Sequence, residues 1–211
     1  MIDTSQLILF VGAAFVLLIT PGPAVLFIMA RSIDQGRAAG IASVLGIEVA
    51  SLVHVTAAAF GLSAVLMSSA LAFDVVKYLG AAYLIYLGLH KLLTKEERSA
   101  EQTAVAQPRS RLFYQGFLVN LFNPKTALFF FAFLPQFVDR SQGSVTLQIL
   151  MLGMIFMGMA VCSDSLYALL AGTLGNWLRG NLKFLRGVRY FSGGMYIVLG
   201  LAAAFAGPKK N

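Results

Sequence analysis

Six apolar runs, each long enough to cross a bilayer, alternate along the chain with short polar stretches. They cover residues 7–30, 38–66, 73–93, 112–138, 146–173 and 187–206 to within a few positions. A hydrocarbon core about 30 Å thick takes about 20 residues at a rise of about 1.5 Å each, so every run predicts one transmembrane helix. The second and fifth are long enough to tilt. Charged residues do not recur at helical period inside the runs, as they would on the helices of a soluble domain, but gather between them. The expected fold is an all-α membrane protein with six transmembrane helices. Met1 to Leu7 carries no basic segment, and the first run continues to Ala30 without a cleavage signal, so this span is expected to stay in the protein.

Composition sharpens the picture. The chain is 58% hydrophobic and 12% charged with a mean hydropathy of +0.79, too apolar for 211 residues to hide in one soluble core. A net charge of +7 would suit nucleic acid, but such binding needs basic residues on one accessible face among stacking aromatics. Here they sit at the ends of the runs, so the expected partner is membrane lipid and no nucleic acid. Sorting them by loop places Arg31, Arg37, Lys91, Lys95, Arg98, Arg109, Arg111, Arg179, Lys183, Arg186 and Arg189 on one side, against Lys77, Arg140, Lys209 and Lys210 on the other. The positive-inside rule then puts both termini outside the cytoplasm. The polar stretch 94–111 reads as a cytoplasmic linker between two three-helix halves, 1–93 and 112–211. Cys162 is the single cysteine, which excludes an internal disulfide or a thiol pair.

The two halves echo each other. Residues 77–89 read KYLGAAYLIYLGL and residues 189–201 read RYFSGGMYIVLGL; a weaker echo sets Pro21 against Pro124. Three spans per half is odd, so the second copy enters the membrane from the opposite side, the inverted-repeat plan of many secondary transporters. Thr20-Pro21-Gly22-Pro23 interrupts the first span and Asn123-Pro124-Lys125 the fourth. Proline removes a backbone donor and clashes with the preceding turn, and the freed groups need protein or cavity water in hydrocarbon, so both breaks are expected to face inward. Pro23 lies about 12 Å from Arg31 and Asn123 about 18 Å beyond Arg111, which puts both breaks near midplane. The half-helix after each break offers free amides that suit a substrate carboxylate.

Glu48, His54, Lys125 and Asp164 fall inside the runs, where a charge facing lipid costs about 2.5 kcal/mol or more, so they should point into the bundle. Glu48 and Asp164 sit at similar depth, about 16 and 14 Å in. Either is a candidate to carry a proton or to hold a substrate ammonium, and a plain structural staple between an acid and Lys125 is the competing reading. Tyr167, one turn after Asp164, shares its face. Asn120 and Asn123 share a face at the second break, as candidate substrate contacts or as caps of that break. His54 reads as an interhelical hydrogen bonder. Gly36 and Gly40 suit close helix packing; a homodimer is compatible with the same small-residue pattern. The substrate-binding candidates are thus Pro21, Gly22, Pro23, Asn120, Asn123, Pro124, Lys125 and Tyr167. No metal site and no cofactor are expected, and with no Ser or Cys matched to His54 the chain does not read as an enzyme. A divalent-cation exporter using Glu48, Asp164 and Asn oxygens is the alternative.

These motifs resemble the LysE/RhtB family of amino-acid exporters over essentially the full length. The likeness is carried by Thr20-Pro21-Gly22-Pro23, Gly36-Arg37 through Gly46, Gly61-Leu62, Lys77-Tyr78-Leu79-Gly80-Ala81 with Tyr83 and Leu87-Gly88, and above all Asn123-Pro124-Lys125. The resemblance implies export of amino acids or derivatives across a bacterial inner membrane by proton antiport, with threonine, homoserine, leucine or lysine as substrates of similar proteins. Ala24 stands where many members carry Asn, and Ser51 where many carry an acid, with Glu48 one turn earlier.

Overall fold

The computed structural model describes residues 4–62, 70–93, 106–139 and 141–180, with scattered positions between 187 and 205. Seven α-helices carry the described part: α1 Thr4–Ile19, α2 Pro23–Gln35, α3 Arg37–Ala57, α4 Ala70–Leu93, α5 Arg109–Leu121, α6 Pro124–Leu128 and α7 Val145–Gly180. α3 runs on into a π-helical turn, Ala58–Leu62, and α6 into a second, Phe129–Phe133, followed by a 3-10 turn, Leu134–Phe137. Among the described residues there is no strand.

Two helices are long and apolar enough to cross a membrane unbroken, Arg37–Gly61 and Val145–Gly175. Two bent pairs reach the same length and apolarity together: α1 with α2, which turn by 47°, and α5 with Pro124–Phe137, which turn by 48°. Each bend sits near the middle of its pair and at a proline, as the missing donor requires. α4 covers the third expected span, while most of the sixth, the linker 94–105 and residues 63–69 lie outside the described residues. α2 outlasts the expected end of the first span at residue 30 and reaches Gln35. It stops there because Gly36 takes φ +85°, a conformation that costs glycine nothing, and returns its amide to Ser32 O at 2.9 Å.

The inside and outside of the bundle are reversed relative to a soluble protein. On α3 the apolar Leu45 and Val49 are 57% and 45% exposed, whereas Glu48 is 7% exposed and Ser51 and His54 are buried as well. Water would favour the opposite arrangement; a lipid surround favours this one.

Close backbone approach holds the bundle together. A Cβ on Gly46 would stand 1.9 Å from Phe113 O, and one on Gly116 would stand 2.5 Å from Ser43 O, so α3 and α5 cross almost in backbone contact. At Gly40 a Cβ would meet Ser32 Oγ and Ala168, so this glycine serves packing within the chain. A reciprocal contact joins α4 to the C-terminal segment. Gly88 abuts Gly193 and Ile197, while Gly200 abuts Ala81 and Ile85. In the two echoing segments Gly88 matches Gly200, Ala81 matches Gly193 and Ile85 matches Ile197. Each contact is therefore the counterpart of the other.

Candidate functional site

The first break leaves the last carbonyls of α1 without helical partners, and four groups take them up. Thr20 Oγ1 donates to Val16 O at 2.7 Å, and the Thr20 amide to Leu17 O at 3.2 Å. From α6, the Lys125 ammonium donates to Leu17 O at 2.8 Å and to Thr20 O at 2.5 Å. From α7, the Tyr167 hydroxyl donates to Ile19 O at 2.9 Å. An orphan carbonyl in hydrocarbon costs several kcal/mol, and a cation at a helix C-terminus also meets the negative end of the dipole. Across the gap, α2 starts with Pro23 at its first turn and Gly22 as a cap that has no side chain to offer its amides.

The second break is closed differently. Asn123 Oδ1 accepts from the Lys125 amide at 3.1 Å, capping α6 from within. Asn120 is the hub beside it. Its Nδ2 donates to Ile47 O and to Ser51 Oγ, both at 2.9 Å; its Oδ1 accepts from Thr126 Oγ1 at 2.8 Å and from Asn123 Nδ2 at 3.4 Å. His54 Nε2 lies 3.1 Å from Asn120 O, and the imidazole stacks on Phe130 with ring centres 6.1 Å apart. The kink is thereby sewn to α3.

Between the breaks lies a cavity with about 450 Å³ of empty space, part of it at an open mouth. α1 contributes Leu17 and Leu18, and the start of α2 contributes Gly22, Ala24 and Val25. α3 supplies Ile47, Glu48 and Ser51; Asn120, Asn123, Lys125 and Thr126 line the side of the second break; α7 supplies Phe156, Ala160 and Asp164. Both Glu48 oxygens are buried with no hydrogen bond of acceptable geometry. The Ser51 hydroxyl lies beside them, accepts from Asn120 and keeps its own proton to turn toward the carboxyl. Asp164 is within electrostatic range of both Glu48 and Lys125. The chamber thus brings two buried carboxyls and one ammonium together with a helix start that no side chain caps.

Apolar packing closes the chamber on two sides. One cluster joins Ala24, Ile28, Val44, Ile47 and Ala168. The other is aromatic: Phe156 stacks on Phe129 with ring centres 4.1 Å apart and meets Phe130 edge-on at 5.3 Å, with Phe10 and Phe133 beyond.

The sequence profile described as LysE type translocator matches residues 15–207, and so takes in both breaks and every residue of the chamber. The chain belongs to the LysE type translocator family. Among the translocator's relatives, a homoserine/homoserine lactone efflux protein of Salmonella typhimurium is 32% identical over 190 residues, 89% of this chain and 90% of that protein. An uncharacterised membrane protein of Pseudomonas aeruginosa is 33% identical over 204 residues, 92% of each chain. A leucine efflux protein of Salmonella choleraesuis is 35% identical over 132 residues, 61% of each. No solved structure matches the chain. The family and the apolar exterior make this LysE type translocator a multi-pass membrane protein.

In the translocator the sequence-derived candidates come together, but their partners differ from those expected. Gly22, Glu48, Asn120, Asn123, Lys125 and Asp164 all line one chamber, and Pro21, Pro23 and Pro124 frame its two breaks. Lys125 and Tyr167 reach for backbone carbonyls of α1, and Asn120 and Asn123 for neighbours inside the protein. The amides expected to be open at both half-helices are uncapped by any side chain at α2 alone. Ser51, Thr126, Phe156 and Ala160 also line the chamber, and none of them is among the site candidates read from sequence. Ser51 one turn after Glu48, and Thr126 next to Lys125, were the available signals.

Proposed function

We propose that this protein is a secondary active exporter of amino acids or their derivatives from the cytoplasm, driven by proton antiport. The observation that carries the reading is the buried carboxyl of Glu48, beside the Ser51 hydroxyl, lining with the uncapped start of α2 a chamber formed where two broken helices meet. A zwitterion spans such a pair: its carboxylate on the amides of the first turn of α2, its ammonium at Glu48. Asp164, beside Lys125, is the second acid through which a proton would be exchanged. The names of the relatives, homoserine/homoserine lactone efflux and leucine efflux, favour small uncharged side chains.

In this reading residues 1–93 and 112–211 are inverted three-helix repeats joined by a cytoplasmic linker at 94–111, six spans in all, with both termini outside the inner membrane. Bends of 47° and 48° at matching prolines, and the reciprocal contacts of Gly88 and Gly200, support it. The bundle exposes apolar side chains to lipid, and a homodimer remains compatible with that surface. A divalent cation is the weaker cargo, because among the described residues no three His, Cys, Asp or Glu side chains stand together and an ammonium already adjoins Asp164.

The test compares cells with and without the protein for tolerance to toxic concentrations of several amino acids. It is followed by efflux from vesicles under an imposed pH gradient. Gradient-driven efflux of at least one small neutral amino acid is the expected result; protection against none, with efflux of divalent cations instead, would overturn the reading.

A further inference from the structure

Lys125 is a buried cation that touches backbone. Two of the three donors on its ammonium end on Leu17 O and Thr20 O at 2.8 and 2.5 Å. These carbonyls terminate a helix interrupted inside the bundle, where aligned peptide dipoles leave partial negative charge. The next carbonyl, Ile19 O, is held by Tyr167 at 2.9 Å, and the Asp164 carboxyl lies within electrostatic range. Carbonyl oxygens at the end of a half-helix, with a carboxylate beside them, form the donor set of a hard monovalent cation. Secondary transporters built on broken helices coordinate a coupling sodium ion with such groups.

We propose that the Lys125 ammonium is a tethered cation standing in the position of a coupling metal ion at the end of α1, so that the transport cycle of this protein runs without sodium and Lys125 acts as a positioning residue. The inference rests on the exporter reading and deepens it. Lys125 does not meet the substrate carboxylate; it fixes the end of α1 against α6 and so sets the width of the chamber that Glu48 and α2 line. Being covalently attached, this cation cannot leave with each turnover, and no metal-ion gradient can be coupled through it. The task of coupling is then left to the proton.

The test is counterflow of radiolabelled leucine or homoserine by the full-length protein in liposomes. Replacing sodium by choline at constant ionic strength should leave the wild-type rate within about twofold, since no metal site is to be filled. Lys125→Ala should lose at least ~100-fold in rate, and tens of millimolar sodium or methylammonium should restore at least ~10-fold of it by refilling the carbonyl site. Lys125→Arg, which keeps a cation there, should transport without sodium, and it decides the matter if Lys125→Ala unfolds. Wild-type counterflow that collapses in choline overturns the inference and leaves the exporter reading intact. A sodium-requiring Lys125→Arg, a fully active Lys125→Ala, or a folded Lys125→Ala that no cation restores has the same effect. No counterflow of either amino acid by the wild type overturns both.

Discussion

The Asn120 carboxamide reaches from α5 to Ser51 of α3, Nδ2 to Oγ 2.9 Å, and so fixes the hydroxyl that lies one turn after Glu48, leaving its O–H to donate elsewhere. One side chain thus stitches the second break to α3 and holds the hydroxyl that adjoins the Glu48 carboxyl. Four side-chain hydrogen bonds depend on it. Asn120→Ala should therefore destabilise the protein by about 3–4 kcal/mol, at about 1 kcal/mol per lost bond. Thermal unfolding in detergent measures this, and an unchanged midpoint would show that the network carries no weight.

The two acids separate by assay. Glu48→Gln and Asp164→Asn should each abolish efflux driven by a pH gradient. The variant at the proton-carrying position should keep exchange counterflow, which moves no net proton, whereas the one at the ammonium position should lose both. Full gradient-driven efflux in both single variants removes the mechanism.

Tyr167→Phe removes one donor from Ile19 O and leaves the aromatic packing in place. A stability loss of about 1 kcal/mol is expected, with KM for leucine within about threefold of wild type. A rise of KM beyond about tenfold at unchanged stability would instead make the hydroxyl a substrate contact.

Packing at the crossing of α3 and α5 admits no side chain. Gly46→Ala places a methyl 1.9 Å from Phe113 O, which only a shift of one helix can relieve. The expected cost is about 2–4 kcal/mol or failure to fold. Gly12→Ala, where nothing lies within 4 Å, should stay within about 0.5 kcal/mol and serves as the control. Equal melting temperatures for the two variants would contradict the close approach.

Periodicity and length were sufficient to place the helices among the described residues, because a bilayer imposes one span length whatever the packing. The proline interruptions were legible for the same reason: a missing amide breaks any helix, and the bends at Gly22 and Asn123 stand where Pro21-Gly22-Pro23 and Asn123-Pro124 require. The inward direction of Glu48, Asp164 and Lys125 also followed from sequence, since lipid refuses charge. What no local pattern contains is the partner of each group. Lys125 finds carbonyls 105 and 108 residues away, and Tyr167 one 148 residues away. Such pairings are set by helix crossings that depend on glycines such as Gly46 and Gly116. Sequence thus determined which groups must be buried and satisfied; only the packed structure decided that Lys125 satisfies a helix end while Glu48 lines the chamber.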